Sequence, residues 1–258
     1  MRKRSAFITG GAGGIGLATA KLLVSKGWRV GIGDISPAAL EKAKAEVDVE
    51  TFQHDVRDYA QWQQVLDAFT APDDGALDVL INNAGVLIFG WLDLQDPASF
   101  APLIDINITG VVYGCHAAVK HLVKGDKPAL VNLGSSASLQ APPISALYAT
   151  TKFAVRGLSE ALSVAYLRHG IRVSMVEPYC VDTPMLDADS PDGINYRLAV
   201  TGHEILTPEQ VAARVLEATE GDDFHYPVGE LSRELADEVK PRYDKDRATW
   251  LGIFGMAG

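Results

Sequence analysis

The sequence predicts an α/β fold, a doubly wound and mostly parallel sheet of about seven strands with helices on both faces. Three observations carry this expectation. Short runs of β-branched and aliphatic residues alternate with longer stretches of helical periodicity along the chain, the pattern of strands joined by crossover helices. Strand cores such as "VLI" and "ALV" are apolar at every position, as suits strands covered on both sides. A glycine-rich turn separates the first strand from the first helix, where sheets of this kind bind ligands.

Taken in order, the strand candidates are "SAFIT" (5–9), "WRVGIGD" (28–34), "VETFQHD" (49–55), "LDVLINN" (77–83), "ALVNLGS" (129–135) and "IRVSMVEP" (171–178). Helical patterns fill 15–26, 37–47, 59–69, 100–123 and 148–168. "TPEQVAARVLEA" opens a further helix with Thr207 as its cap and Pro208 in the first position. It leads to a seventh strand at "FHYPVG" (224–229). One stretch breaks the rhythm: residues 183–206 are long, rich in Asp, Pro and Gly, and follow a strand end, which marks a substrate loop or lid.

A chain of 258 residues with 47% hydrophobic content buries a full core. Because composition does not break anywhere, one domain over 1–258 is expected. The net charge of −10 disfavours a nucleic-acid binder, which needs clustered Lys and Arg. Cys115 and Cys180 stand far apart in apolar surroundings and imply reduced, buried thiols. His116, His121 and His169 have no partner at ligand spacing, so no metal site is expected. The start runs directly into "AFITGGAGGIG", and no uninterrupted apolar run of about 18 residues occurs. A soluble, cytoplasmic protein without membrane partners is the expectation.

Function enters at the glycines. In "ITGGAGGIGLATAKLL", Gly10, Gly14 and Gly16, with Ile15 between the last two, lie between a strand and a helix. There a pyrophosphate meets free backbone N–H groups and the positive end of the helix dipole. Asp34 closes the second strand, 18 positions beyond Gly16, near the interval at which a carboxylate receives the adenosine ribose hydroxyls of NAD and repels a 2′-phosphate. Asp34 equally suits a cap for the helix beginning near Pro37. The turn holds no Arg or Lys, which favours NAD over NADP. Farther on, "SALYATTKFAVRG" spaces Tyr148 and Lys152 one helical turn apart, so both project from one face toward one site.

Together the chain resembles the short-chain dehydrogenase/reductase family, whose single-domain members have this length and a Rossmann fold. The resemblance runs from Thr9 to about Thr183 through "TGGAGGIG", "HDV", "NNAG", "IDINITG", "NLGSS", "YATTK" and "PYCVDT". It implies a catalytic set: Tyr148 as general acid/base, Lys152 as its partner, Asn107 in a water-linked proton path, and Ser136, the second serine of "SS", polarising the substrate oxygen. It further implies adenine contacts from Asp55 and Val56, a lining of Asn83, Ala84 and Gly85, and carboxamide contacts from Val181 and Thr183. Chemically the assignment is coherent: a phenol near pKa 10 is a poor base at neutral pH, and a neighbouring ammonium favours its phenolate.

Three departures stand out. Ser136 precedes Tyr148 by 12 residues, one fewer than the family's usual interval, so Ser135 and Ser138 remain alternatives. Leu139 stands where the family has glycine after "SSxx". Tyr179 replaces the glycine of "PG", either packing on the nicotinamide ring or shaping the substrate entrance. The resemblance and the apolar wall around Ser138, Leu139, Gln140, Pro142, Tyr179, the 185–205 loop and the C-terminal "ATWLGIF" imply NAD-dependent interconversion of a hydrophobic secondary alcohol and a ketone. They also imply a homo-oligomer, dimer or tetramer, assembled through the long helices. The alternatives are an NADPH-type β-ketone reductase of biosynthesis and a dinucleotide-binding regulatory protein without turnover.

Overall fold

A computed structural model describes residues 2–200 and 202–255. Thr201, within the predicted loop, and the predicted domain's ends, Met1 and 256–258, lie outside the described residues.

Seven parallel strands form one sheet: β1 (Ser5–Thr9), β2 (Arg29–Asp34), β3 (Glu50–Gln53), β4 (Val79–Asn82), β5 (Ala129–Leu133), β6 (Arg172–Pro178) and, after a separate pair, β9 (His225–Val228). Their spatial order is β3-β2-β1-β4-β5-β6-β9. Winding therefore reverses between β1 and β4, the switch point at which the carboxyl ends of the strands leave a crevice. The separate pair, β7 (Cys180–Val181) and β8 (Ile205–Leu206), runs parallel in the register Cys180 to Ile205 and Val181 to Leu206. It staples both ends of the predicted 183–206 loop together.

Helices cover both faces, as predicted. Along β1, Ala6 and Ile8 join α1 (Gly14–Ser25) and α8 (Pro208–Glu220) on one side, while Phe7 joins Trp62 and Phe69 of α3 (Tyr59–Thr70) on the other. This is strand alternation dividing one chain between two cores. Caps set the helix starts: Ser36 for α2 (Pro37–Glu46), Asp58 for α3, and Thr207 with Gln210 in a reciprocal capping box for α8.

Two regions depart from expectation. The helix predicted over 100–123 is α4 (Phe100–Ile104) and α5 (Gly110–Leu122), joined by a π-helical turn, Asp105–Thr109. The wider turn lets Asn107 face inward to the backbone of Val86. Residues 97–122 have the length and mean hydropathy, 1.2, of a membrane-crossing helix, yet α5 packs on α3 and β4. Beyond α6 (Ala146–Ala165) and the short α7 (Tyr196–Ala199), the chain ends in α9 (Glu230–Ile253). Periodicity does not reveal α9, because it buries only Ser232, Ala236 and Tyr243 and carries Pro241 in its interior.

Candidate active site

A cavity of about 540 Å³ opens at the carboxyl ends of the strands. One half is built around the glycine turn. Gly10, Gly14, Ile15 and Asp34 line it, with Asn83, Ala84 and Gly85 at the end of β4, Val181 in β7 and Thr183 beyond it. Gly16 sits behind the wall: a Cβ there would collide with the Gly10 carbonyl, and Gly10 itself holds φ +60°. Asn83 Nδ2 donates to the carbonyls of Thr9 (2.8 Å) and Gly10 (3.0 Å). Thr9 Oγ1 in return accepts from the amides of Asn83 and Ala84, both at 3.1 Å. The β4 terminus is thereby fastened to the turn.

Asp34 accepts from the Ala12 amide at 3.3 Å and the Ser36 amide at 3.1 Å. The cap of α2 is Ser36, so Asp34 remains on the cavity wall. The start of α1, by contrast, has Gly13 as its N-cap and no side-chain capping bond. A Cβ at Gly13 would meet open space. Uncapped helix amides beside open space fit a pyrophosphate, and the Asp34 carboxylate stands on the wall of the same cavity.

Asp55 and Val56, expected to meet the adenine, do not line the cavity. The Asp55 carboxylate pairs with Arg57 at 2.6 Å, which holds it below the usual carboxylate range. Val56 is buried against Gly110, and its carbonyl accepts from Trp62 Nε1 at 2.9 Å.

The other half gathers Tyr148, Lys152 and a serine. Tyr148 lies in the first turn of α6 and Lys152 one turn later, with Nζ 5.6 Å from the tyrosine ring centre. Lys152 Nζ donates to the Leu133 carbonyl at 2.9 Å, and burial pushes the ammonium down to about 8. Burial pushes the Tyr148 phenol up to about 12, against a hydrogen bond with Ser135 that favours its ionised form.

That bond corrects the serine assignment. Ser135, not Ser136, meets Tyr148. Extended at φ −173°, Ser135 caps the 3₁₀ turn Ser136–Ser138, and Ser138 Oγ donates to its carbonyl at 2.6 Å. Ser136 occupies the next stretch of wall. The signal was present: Ser135 precedes Tyr148 by 13 positions, the interval the resemblance requires. The same shift moves the family's glycine position from Leu139 to Ser138. Ser138, Leu139, Gln140 and the C-terminal "ATWLGIF" are absent from the lining. Leu87 and Ile144 line it instead, with Pro142, Tyr179, Met185, Tyr196 and His203.

Asn107, buried in the π turn, lies outside the lining. Its Oδ1 accepts from the Val86 amide at 2.9 Å, and its Nδ2 donates to the Val86 carbonyl (2.9 Å) and Thr151 Oγ1 (3.1 Å). It braces the segment after Gly85 against α6. Asn82 bonds Asn132 at 2.9 Å and ties β4 to β5.

The sequence model of the short chain dehydrogenases matches residues 4–193. The chain belongs to the short-chain dehydrogenase family. This short-chain dehydrogenase is 36% identical over 185 residues to a 3-alpha-(or 20-beta)-hydroxysteroid dehydrogenase of Mycobacterium bovis, covering 70% of each chain. It is 31% identical over 226 residues to a 3-beta-hydroxysteroid dehydrogenase of Comamonas testosteroni, covering 84% of this chain and 88% of that one. The structure of a 3-ketoacyl-(acyl-carrier-protein) reductase from Brucella melitensis complexed with NADH superposes with a TM-score of 0.77, over 88% of this chain and 97% of that chain, at 22% identity. That likeness shows the fold. As a short-chain dehydrogenase the protein is an oxidoreductase of a family that binds a nicotinamide dinucleotide, acts on small-molecule alcohols and ketones and usually forms oligomers.

Proposed function

We propose that the chain is an NAD-dependent dehydrogenase that interconverts a secondary alcohol and a ketone on a small or medium, partly apolar molecule. The observation that carries this reading is the convergence of Tyr148, Lys152 and Ser135 on the cavity that the glycine turn and Asp34 also line. When bound, NAD supplies the hydride acceptor.

Each residue then has a task. Ser135 donates a hydrogen bond to the substrate oxygen and holds it against Tyr148. Tyr148 takes the carbinol proton in oxidation and returns it to the developing alkoxide in reduction. Lys152, charged below about 8, stabilises the phenolate form of Tyr148 through the field of its ammonium. Asn107 positions Val86 and, through Thr151, the helix bearing both residues. Asp34 binds the ribose hydroxyls and disfavours a 2′-phosphate.

The hydroxysteroid dehydrogenases among its relatives and the apolar wall of Leu87, Ile144, Met185 and Leu186 support a hydrophobic substrate. Exposed Val112 on α5 and Phe153 on α6 support assembly with further copies through those helices, in a dimer or tetramer. We place its work in the cytoplasm.

The test is a panel of cyclic and steroid secondary alcohols assayed for reduced-nicotinamide formation with NAD and with NADP. Turnover with NAD at least about tenfold better than with NADP is expected, narrowing by about tenfold in Asp34→Ser, the worth of one charge repulsion. Clear dinucleotide binding without turnover on any alcohol or ketone would instead favour a binding protein.

A further inference from the structure

We propose that Tyr179, Cys180 and Tyr196 form a second polar anchor inside the cavity, one that holds an uncharged oxygen on the substrate apart from the reacting carbinol. The preferred substrates are then alcohols on a compact apolar ring frame that carries a second hydroxyl, keto or ether oxygen. This rests on the reading of the cavity as the substrate site.

All three residues line the cavity that Tyr148 lines. The Tyr196 hydroxyl lies 3.7 Å from Cys180 Sγ, and Tyr179 lines the same stretch of wall. Sulfur is a weak acceptor, so the Tyr196 phenol has a poor partner there and stands beside a second phenol. Both residues are half-buried, and each keeps most of its donor capacity for a better acceptor. Burial, with the neighbouring hydroxyls and thiol, holds both phenols in the neutral, donating form, Tyr179 up to about 12.

The anchor is held rigidly. The Tyr196 ring packs on Phe89 at 4.7 Å, and Tyr179 packs edge-on against His203 at 5.6 Å. Asn195 caps the helix that carries Tyr196, accepting from the Leu198 amide at 3.3 Å. Arg197 ties that helix to Asp182 and Asp187, each at 2.8 Å. Such fixed donors bind an acceptor with little ordering cost.

Charge narrows the class. Besides the partly exposed His203, the ionic side chains in the lining are Asp34 and Lys152. Asp34 serves the dinucleotide half, and Lys152 bonds the Leu133 carbonyl. A carboxylate or phosphate on the substrate would meet no Lys or Arg at this anchor and, as a basic side chain, His203 alone, whereas a neutral oxygen suits two phenols. Tyr179 stands where the family has glycine, so the anchor belongs to this chain rather than to the fold.

The experiment measures dissociation constants by ligand-observed NMR titration with NADH present, so that alcohols bind without net oxidation. The probes are cyclohexanol and cyclohexane-1,2-, 1,3- and 1,4-diol. In the unmodified protein at least one diol is expected to bind about tenfold tighter than cyclohexanol, the worth of one well-made hydrogen bond. In the Tyr179→Phe/Tyr196→Phe double variant that ratio falls below about threefold, with cyclohexanol affinity unchanged as the check on folding. Single variants show which phenol dominates. Equal binding of diols and cyclohexanol by the unmodified protein, or a preference that survives in the double variant, overturns the anchor. Oxidation is assayed separately with NAD: diol selectivity in binding without turnover leaves the anchor standing and overturns only the hydride-transfer reading.

Discussion

Around the glycine turn the contacts are made to backbone: Asn83 to the carbonyls of Thr9 and Gly10, Thr9 to the amides of Asn83 and Ala84, Asp34 to those of Ala12 and Ser36. Across the cavity the contacts are ring on ring and hydroxyl on thiol: Tyr196 on Phe89, Tyr179 on His203, Tyr196 on Cys180. A position that must lack a Cβ accepts one residue type, as Gly16 does beside the Gly10 carbonyl. A position that must fill space and present a donor accepts several. The first region therefore tolerates little change and the second is free to specialise, which fits a shared dinucleotide half and a substrate half of the chain's own.

Changes confined to one region should break one function and spare the other. Tyr148→Phe, which removes one hydroxyl from the substrate half, is expected to lower kcat by about 10³-fold or more with dinucleotide affinity intact by fluorescence titration. Lost affinity would place Tyr148 in the cofactor's binding energy instead. Next in size, Ser135→Ala should cost about 10²-fold in kcat, the loss of one donor to a developing oxyanion. Ser136→Ala should cost less than about threefold, and steady-state kinetics showing the reverse order would restore Ser136 to the site.

The smallest effect concerns stability on the dinucleotide side. His54 lies beneath Gly33 and edge-on to Trp62 at 4.4 Å, and burial pushes its imidazole down from 6.5 to about 4. The folded chain thus keeps His54 neutral where the unfolded chain is already protonated. Stability is whole above about 6.5 and drains as pH falls toward 4, by about 2 kcal/mol at pH 5. Urea unfolding at pH 7 and pH 5 should show that gap in the unmodified protein and lose most of it in His54→Leu; an equal gap in both would assign acid sensitivity elsewhere.

Several features were legible because a single physical rule governs each. Strand order along the chain followed from period and apolarity, and Tyr148 with Lys152 from a helical turn. The serine was misread because "SS" at 135–136 offers two hydroxyls in adjacent positions. Only the extended conformation of Ser135, ahead of the 3₁₀ turn, decides which one reaches the tyrosine. Asp55 pairs with Arg57, Val56 packs in the core, and both stand outside the cavity lining. A local motif does not reveal either of these neighbours.

By itself the sequence determined the α/β architecture, the glycine turn and the Tyr148–Lys152 pair, because backbone geometry and burial act on residues close together in the chain. Tertiary structure alone decided what meets at a distance. The π turn brings Asn107 to Val86, β7 pairs with β8 across the 183–206 segment, and the fold sets Tyr196 against Cys180, 16 residues away, and Phe89. Those contacts depend on the packing of whole elements, whose side-chain requirements are met by many sequences and so leave no fixed signature in any one of them.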